Sequence, residues 1–211
     1  MSATVPISTV IKDNPCINKM VIGLGNPGTR FANTRHNIGW SAVESFVGKK
    51  KGTDIKSTFD CVDNIANYCV LGINDLQVLF VLPLTYMNRS GIAAAYFIER
   101  FCLDSKNILV IVDEYNFPLG RLHLKKIKSD CGHNGLASLM SCIDNNDFNI
   151  LRCGIGNNFG YGELVDYVLS TFGSDEITAR DEMLESCCSA IDIFLSNEIS
   201  VAMSLINSTY R

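Results

Sequence analysis

No run in this 211-residue chain approaches the roughly 18 apolar residues that a membrane helix needs, and no signal peptide is visible. Positive charge is not in excess either. Eighteen Lys and Arg stand against 22 Asp and Glu, for a formal net charge of -4, which excludes a protein that coats nucleic acid through bulk charge. A local basic face is still open, since cations cluster at Lys49-Lys50-Lys51 and between Arg121 and Lys128. The first of these clusters reads as a solvated surface. Low-complexity tracts and internal repeats are missing. Histidine is scarce, with only His36, His123 and His133, and no two of them have the spacing of metal ligands. The nine cysteines are odd in number, irregularly spaced and without a CxxC pair. They read as small apolar residues in a reduced, cytoplasmic setting, with neither a disulfide framework nor a zinc site.

What is present is the material of one ordinary domain. Hydrophobic residues make up 47% of the chain and charged ones 19%, a balance that can bury a core. Residues 1–18 read as a poorly ordered extension and 19–211 as the domain. Residues 20–24 form a short apolar run, a buried strand, broken at once by Gly25-Asn26-Pro27-Gly28. A polar stretch carrying Arg30, Arg35, His36 and Asn37 follows, before Ile38 and Trp40 restore an apolar pattern. A helix is predicted over 39–47, with residues 49–53 as a loop.

Residues 65–73 and 76–82 suggest an antiparallel hairpin ended by Pro83. Residues 87–101 read as a helix. The nearly unbroken apolar run 107–112 reads as a strand covered on both faces, ending at Asp113-Glu114. Residues 121–127 alternate as a strand with one wet face. Residues 134–143 form a predicted helix, 149–155 a strand and 161–169 a helix. A further helix starts at Ser174-Asp175-Glu176 and carries a core stripe of Met183, Leu184, Cys187, Cys188, Ile191, Phe194 and Leu195. Hairpin strands and crossover helices together predict an α/β fold, a single mixed sheet flanked by helices.

Gly23-Leu24-Gly25-Asn26-Pro27-Gly28 matches the G-x-G-x-x-G fingerprint of dinucleotide-binding proteins. In that fingerprint a helix starts within the glycine turn, so that free amides hold a pyrophosphate. Here residues 29–36 show little helical periodicity, and Pro27 removes one donor. A nucleotide-dependent enzyme is therefore disfavoured. A different set of residues suits chemistry better. Asp113 ends the covered strand, and Asn26, Asn88 and Asn134 each follow a strand. An Asp bonded to one imidazole nitrogen raises the basicity of the other, which can then take a proton from water. Amides can hold a carbonyl and support the oxyanion that forms on it. Such a set suits hydrolysis of an ester or amide by activated water. Spacing alone leaves open whether the five meet, and each has a plainer alternative as a cap, a turn residue or a structural imidazole.

Five motifs in order carry a resemblance: Gly-Leu-Gly-Asn-Pro-Gly at 23–28 with Thr-Arg-His-Asn-Ile-Gly at 34–39, Pro83 to Gly91, Val112-Asp113-Glu114, Gly132-His133-Asn134-Gly135 and Leu151 to Gly156. From Lys19 to Asn207 the chain resembles the bacterial-type peptidyl-tRNA hydrolases. The resemblance implies a single α/β domain with a mixed, twisted sheet that cleaves the ester between a peptide, or an N-blocked amino acid, and tRNA. It implies recycling of tRNA from aborted translation by a cytoplasmic monomer without metal or organic cofactor. By resemblance His36 is the general base, Asp113 its orienting partner and Asn26 the third catalytic residue. Met87, Asn88, Asn134, His133 and Phe31 would contact substrate, and Lys125 and Arg152 would grip the 5′ phosphate of the tRNA.

The chain departs from the family pattern at several places. Phe31 stands where many members have Tyr, and Asn116 where Asp is usual. Residues 127–131 replace a Gly-rich loop, and Asn157-Asn158-Phe159 replaces the usual His-Pro. The family resemblance also extends to non-catalytic RNA-binding splicing factors, against which the intact His36, Asp113 and three-Asn set argues.

Overall fold

The structure, a computed structural model, describes residues 16–52 and 58–211. Residues 1–15 of the expected extension lie outside the described residues. Ile17 is buried, and Asn18 exchanges two hydrogen bonds with Gln77, N to O at 2.9 Å and Oδ1 from N at 2.7 Å.

Seven strands form one mixed sheet: β1 (Lys19–Gly23), β2 (Asp60–Val62), β3 (Ala66–Ile73), β4 (Leu76–Pro83), β5 (Ile108–Glu114), β6 (Leu122–Lys126) and β7 (Asn149–Gly154). Their order is β2-β3-β4-β1-β5-β7-β6. β1 lies parallel to both β4 and β5, and β5 parallel to β7, while the outer pairs are antiparallel. Among the described residues six α-helices flank it: α1 (Ile38–Lys51), α2 (Ser90–Phe101), α3 (Asn134–Cys142), α4 (Leu164–Leu169), α5 (Ile177–Ser196) and α6 (Ile199–Thr209).

The two-residue period of a strand divides the core. Val21, Leu109 and Ile111 face α1, α5 and α6, whereas Met20, Ile22, Ile108, Val110 and Val112 face α2 and α3. With both faces covered, every residue of β5 is buried, which is why it reads as an apolar run and not as an alternation. The stripe on α5 packs as expected, with Leu184 half-buried beside the other six.

Several boundaries moved for physical reasons. α1 runs on through Lys49, Lys50 and Lys51, where a loop was expected. Cations suit a helix C-terminus, and Gly52 closes it in the left-handed region at φ 64°, donating to Gly48 O. Two of the lysines pair with α5, Lys49 with Glu185 and Lys50 with Asp192, so this cluster is a bridged surface. α2 begins at Ser90 after a 3-10 turn at Met87–Arg89, and α4 is shorter than 161–169. β2 and α6 were not anticipated. β2 has only three residues, and α6 buries just Ala202 and Ile206 while leaving Val201 and Leu205 exposed, so its apolar pattern is not one-sided.

The glycine motif has a packing use. α1 begins ten residues past Gly28, after 3-10 turns at Thr29–Phe31 and Arg35–Asn37, so no α-helix starts within the glycine turn. Instead Gly23 and Gly39 let α1 cross the sheet in backbone contact. A Cβ on Gly23 would lie 2.3 Å from Gly39 O, and one on Gly39 2.3 Å from Ile111 O. Gly39→Ala is expected to cost about 1–3 kcal/mol or more, because a carbonyl of β5 cannot rotate away as a side chain would. Thermal denaturation should show a Tm lower by several degrees, and an unchanged Tm would contradict the close crossing.

Candidate active site

The strand ends at the β1–β5 centre of the sheet open into a cavity of about 650 Å³. The turn after β1 delivers Asn26, the Arg35–Asn37 turn delivers His36, the Met87–Arg89 turn delivers Met87 and Asn88, the end of β5 carries Asp113 before Glu114, and α3 opens with His133 and Asn134. These residues, with Phe31 and Arg152, all line the cavity, and Lys125 does not. Phe31 meets Tyr86 edge-on at the mouth, with ring centroids 6.4 Å apart.

Asp113 is the hub. Its Oδ1 accepts from His36 Nδ1 at 2.8 Å and from His133 Nε2 at 3.0 Å. Burial alone would raise the Asp113 pKa, but the two imidazoles beside it outweigh burial and hold the carboxyl well below the usual carboxylate range. Burial pulls the His36 pKa down, while the charge and hydrogen bond of Asp113 carry it above its ordinary value. Among the described residues His36 Nε2 has no hydrogen-bond partner.

Two neighbours that sequence reasoning noted but gave no role hold this turn in place. The Asn37 amide clamps the backbone of Asn26, accepting from its N at 2.9 Å and donating to its O at 2.9 Å. Arg35 is buried, donates to Ile155 O at 3.0 Å, forms an ion pair with Glu176 and lies over the rings of Tyr167 and Phe172. A polar residue on each side of His36 was the available signal, but its partners lie more than 100 positions away for Arg35. Asn26 Oδ1 accepts from Met87 N at 2.8 Å, so the side chain turns only its NH₂ group to the cavity. Asn88 and Asn134 are exposed there.

The basic strand is less simple than its spacing suggests. Arg152 is paired with Glu114, Nε to Oε2 at 2.7 Å, and lies over Phe117, as does Arg121. Asn116 donates through N and Nδ2 to Glu114 Oε1, at 2.9 and 2.8 Å, which an Asp there could not do with its side chain. Lys125, two residues along β6 from His123, makes no ion pair among the described residues. Burial lowers the His123 pKa, and Arg152, Arg121 and Lys125 add to that effect.

His36, Asp113 and His133 place three possible metal-ligand atoms within 4.8 Å of one another. The hydrogen bonds argue against that use. His133 Nδ1 accepts from Gly135 N at 3.1 Å and Leu136 N at 3.3 Å, so the proton of the neutral ring sits on Nε2, the atom a metal would need.

A family model described as Peptidyl-tRNA hydrolase matches residues 20–211. Among curated relatives, the peptidyl-tRNA hydrolase of Pseudothermotoga lettingae is 37% identical over 190 residues, covering 90% of this chain and 97% of that one. That of Phocaeicola vulgatus is 34% identical over 188 residues, covering 89% and 97%. The crystal structure of peptidyl-tRNA hydrolase from Acinetobacter baumannii superposes with a TM-score of 0.82 at 30% identity, covering 92% of this chain and 97% of that one.

Proposed function

The chain belongs to the peptidyl-tRNA hydrolase family and is an enzyme that hydrolyses peptidyl-tRNA; we propose that His36 is its general base. The observation that carries this reading is the bond from His36 Nδ1 to Asp113, which commits one ring nitrogen and leaves Nε2 as a base at the cavity. Nε2 takes a proton from water, and the hydroxide attacks the ester carbonyl. The oxyanion that forms is supported by the NH₂ groups of Asn26, Asn88 and Asn134. When the tetrahedral intermediate collapses, the C–O bond to the 3′ oxygen of the tRNA breaks and the His36 imidazolium returns its proton to that oxygen. The products are the free peptide acid and tRNA. Asp113 stabilises the imidazolium between these two transfers.

Met87 and Phe31 supply apolar surface to the peptide end. Lys125 and Arg152 take the 5′ phosphate of the tRNA, a contact that positions RNA without reading its sequence. Since Arg152 is already paired with Glu114, Lys125 is the freer cation. The enzyme acts as a cytoplasmic monomer that recycles tRNA from aborted translation. No helix among the described residues is long and apolar enough to cross a membrane.

Release of an N-acylated amino acid from its tRNA by the purified protein tests this function. Retention of tRNA without release would move the chain to a non-catalytic RNA-binding role. Lys125→Ala is expected to raise KM for full-length tRNA substrates by about tenfold, near the low end for a hydrogen bond to a charged group, because Lys125 is solvent-screened. Short esterified fragments lacking the 5′ end should be unaffected. Equal losses on both substrates would refute the phosphate contact.

A further inference from the structure

The N-terminus of α3 is capped in an unusual way. Ser, Thr, Asp or Asn oxygens normally accept from the free amides of a first turn. Here the acceptor is the Nδ1 of His133, whose backbone is extended at φ -88°, ψ 112°. A ring nitrogen that accepts two N–H groups carries no proton. The ring proton is therefore on Nε2, aimed at Asp113 Oδ1, the same oxygen that accepts from His36. Protonating His133 would break both cap bonds and put a cation at the positive end of a helix. The residue after Asn134 fits this arrangement. A Cβ on Gly135 would lie 2.6 Å from Met87 Sδ and 3.0 Å from His133 Cε1.

From this geometry, and resting on the reading of His36 as base, we propose that His133 is a positioning residue, an imidazole held in one tautomer by α3, which sets the basicity of His36 through Asp113. One N–H from His133 occupies the shared oxygen, so Asp113 offers His36 a weaker acceptor than a lone carboxylate would. The base then deprotonates at lower pH than it otherwise could. The same two bonds tie Asn134 to the hub.

Among the described residues no other charge near His36 duplicates this effect. Its neighbour Arg35 is paired with Glu176, and Glu114 with Arg152. Arg89, Asp130 and Tyr115 also line the cavity, but none is bonded to Asp113 or His36.

Imidazole ¹⁵N–¹H spectroscopy across pH 5–8 tests the tautomer directly. His133 should carry its proton on Nε2 wherever its ring is neutral, and a His133 with its proton on Nδ1 and none on Nε2 overturns the proposal. His133→Asn keeps a good cap but cannot reach Asp113, and there the His36 titration should move up by roughly half to one pH unit, a fraction of what a hydrogen bond to a charged group is worth. The acid limb of kcat/KM should move with it by the same amount. A fall in plateau with the His36 titration unmoved overturns the proposal and assigns His133 a structural role only. An acid limb that fails to follow His36 in the unsubstituted enzyme overturns the reading of His36 as base, and the two failures are thereby distinct.

Discussion

His36→Ala is expected to lower the rate of peptidyl-tRNA hydrolysis by about 10²- to 10⁴-fold, the usual contribution of a positioned base. The fold should survive, for reasons visible in the turn. His36 makes one hydrogen bond, to Asp113, and the turn that carries it is anchored by its neighbours. Asn37 bonds twice to Asn26, Arg35 N donates to Ser170 O at 2.9 Å, and the Arg35 guanidinium is held by Glu176. Asp113 loses one donor in the variant but keeps His133. Single-turnover release should therefore collapse while Tm moves by a few degrees at most and tRNA affinity is unchanged. A variant that still hydrolyses at the original rate would remove His36 from the role of base. A variant that loses rate only together with its fold would leave the assignment without support.

The parts of this fold that were legible in the sequence are those in which local pattern and burial agree. β5 has seven buried residues in a row and β3–β4 is a hairpin closed by Asn74 at φ 51°, and both stand out as strings. The α5 stripe does too. β2 and α6 were illegible because a three-residue strand carries no periodicity and α6 exposes apolar residues on its outer face. The site divides in the same manner. Asn26, His36, Asp113 and Asn134 were recognisable as residue types placed at strand and turn ends, and the motif order sharpened them. What no spacing could give is pairing. Arg152 looked like a free cation, yet Glu114 already holds it, through a contact 38 positions away made possible by neighbouring strands β5 and β7. Likewise His36 and His133 lacked metal-ligand spacing but lie 5.0 Å apart, on either side of one carboxylate oxygen. A sequence shows which groups are present. Only the fold decides which of them neutralise one another.

Asp113→Asn should have an effect comparable in size to loss of the base, and a different pH signature. The Asn carbonyl can still accept from both imidazoles, so the geometry is kept and the charge alone is removed. With His36 as the proposed base, its ring becomes an imidazolium in the transition state, and a neutral amide stabilises that far less than a buried carboxylate does. The plateau rate should fall by about 10²- to 10⁴-fold. The sign of the pH shift follows from the ground state. Burial lowers the His36 pKa and Asp113 raises it to a net value above the ordinary one. A base works only when neutral, so the natural enzyme loses activity as pH falls through a His36 pKa above about 6.5. Without the Asp113 charge, burial is opposed only by the hydrogen bond to the Asn carbonyl, and the acid limb moves to lower pH.

The ratio of natural to variant rates should then be largest at neutral to alkaline pH and should narrow on acidification. Stability carries the complementary signs. The depressed Asp113 pKa stabilises the fold above the ordinary carboxylate pKa of about 4 and that contribution fades as pH falls through the folded value. The raised His36 pKa stabilises it below about 6.5 and is lost as pH rises through the folded value. Rate profiles of the two proteins from pH 5 to 9 decide the matter. An acid limb that stays in place or moves up, or a plateau within a few-fold of the natural enzyme, would mean that Asp113 does not act on His36 as a charge, and the catalytic pair would have to be abandoned.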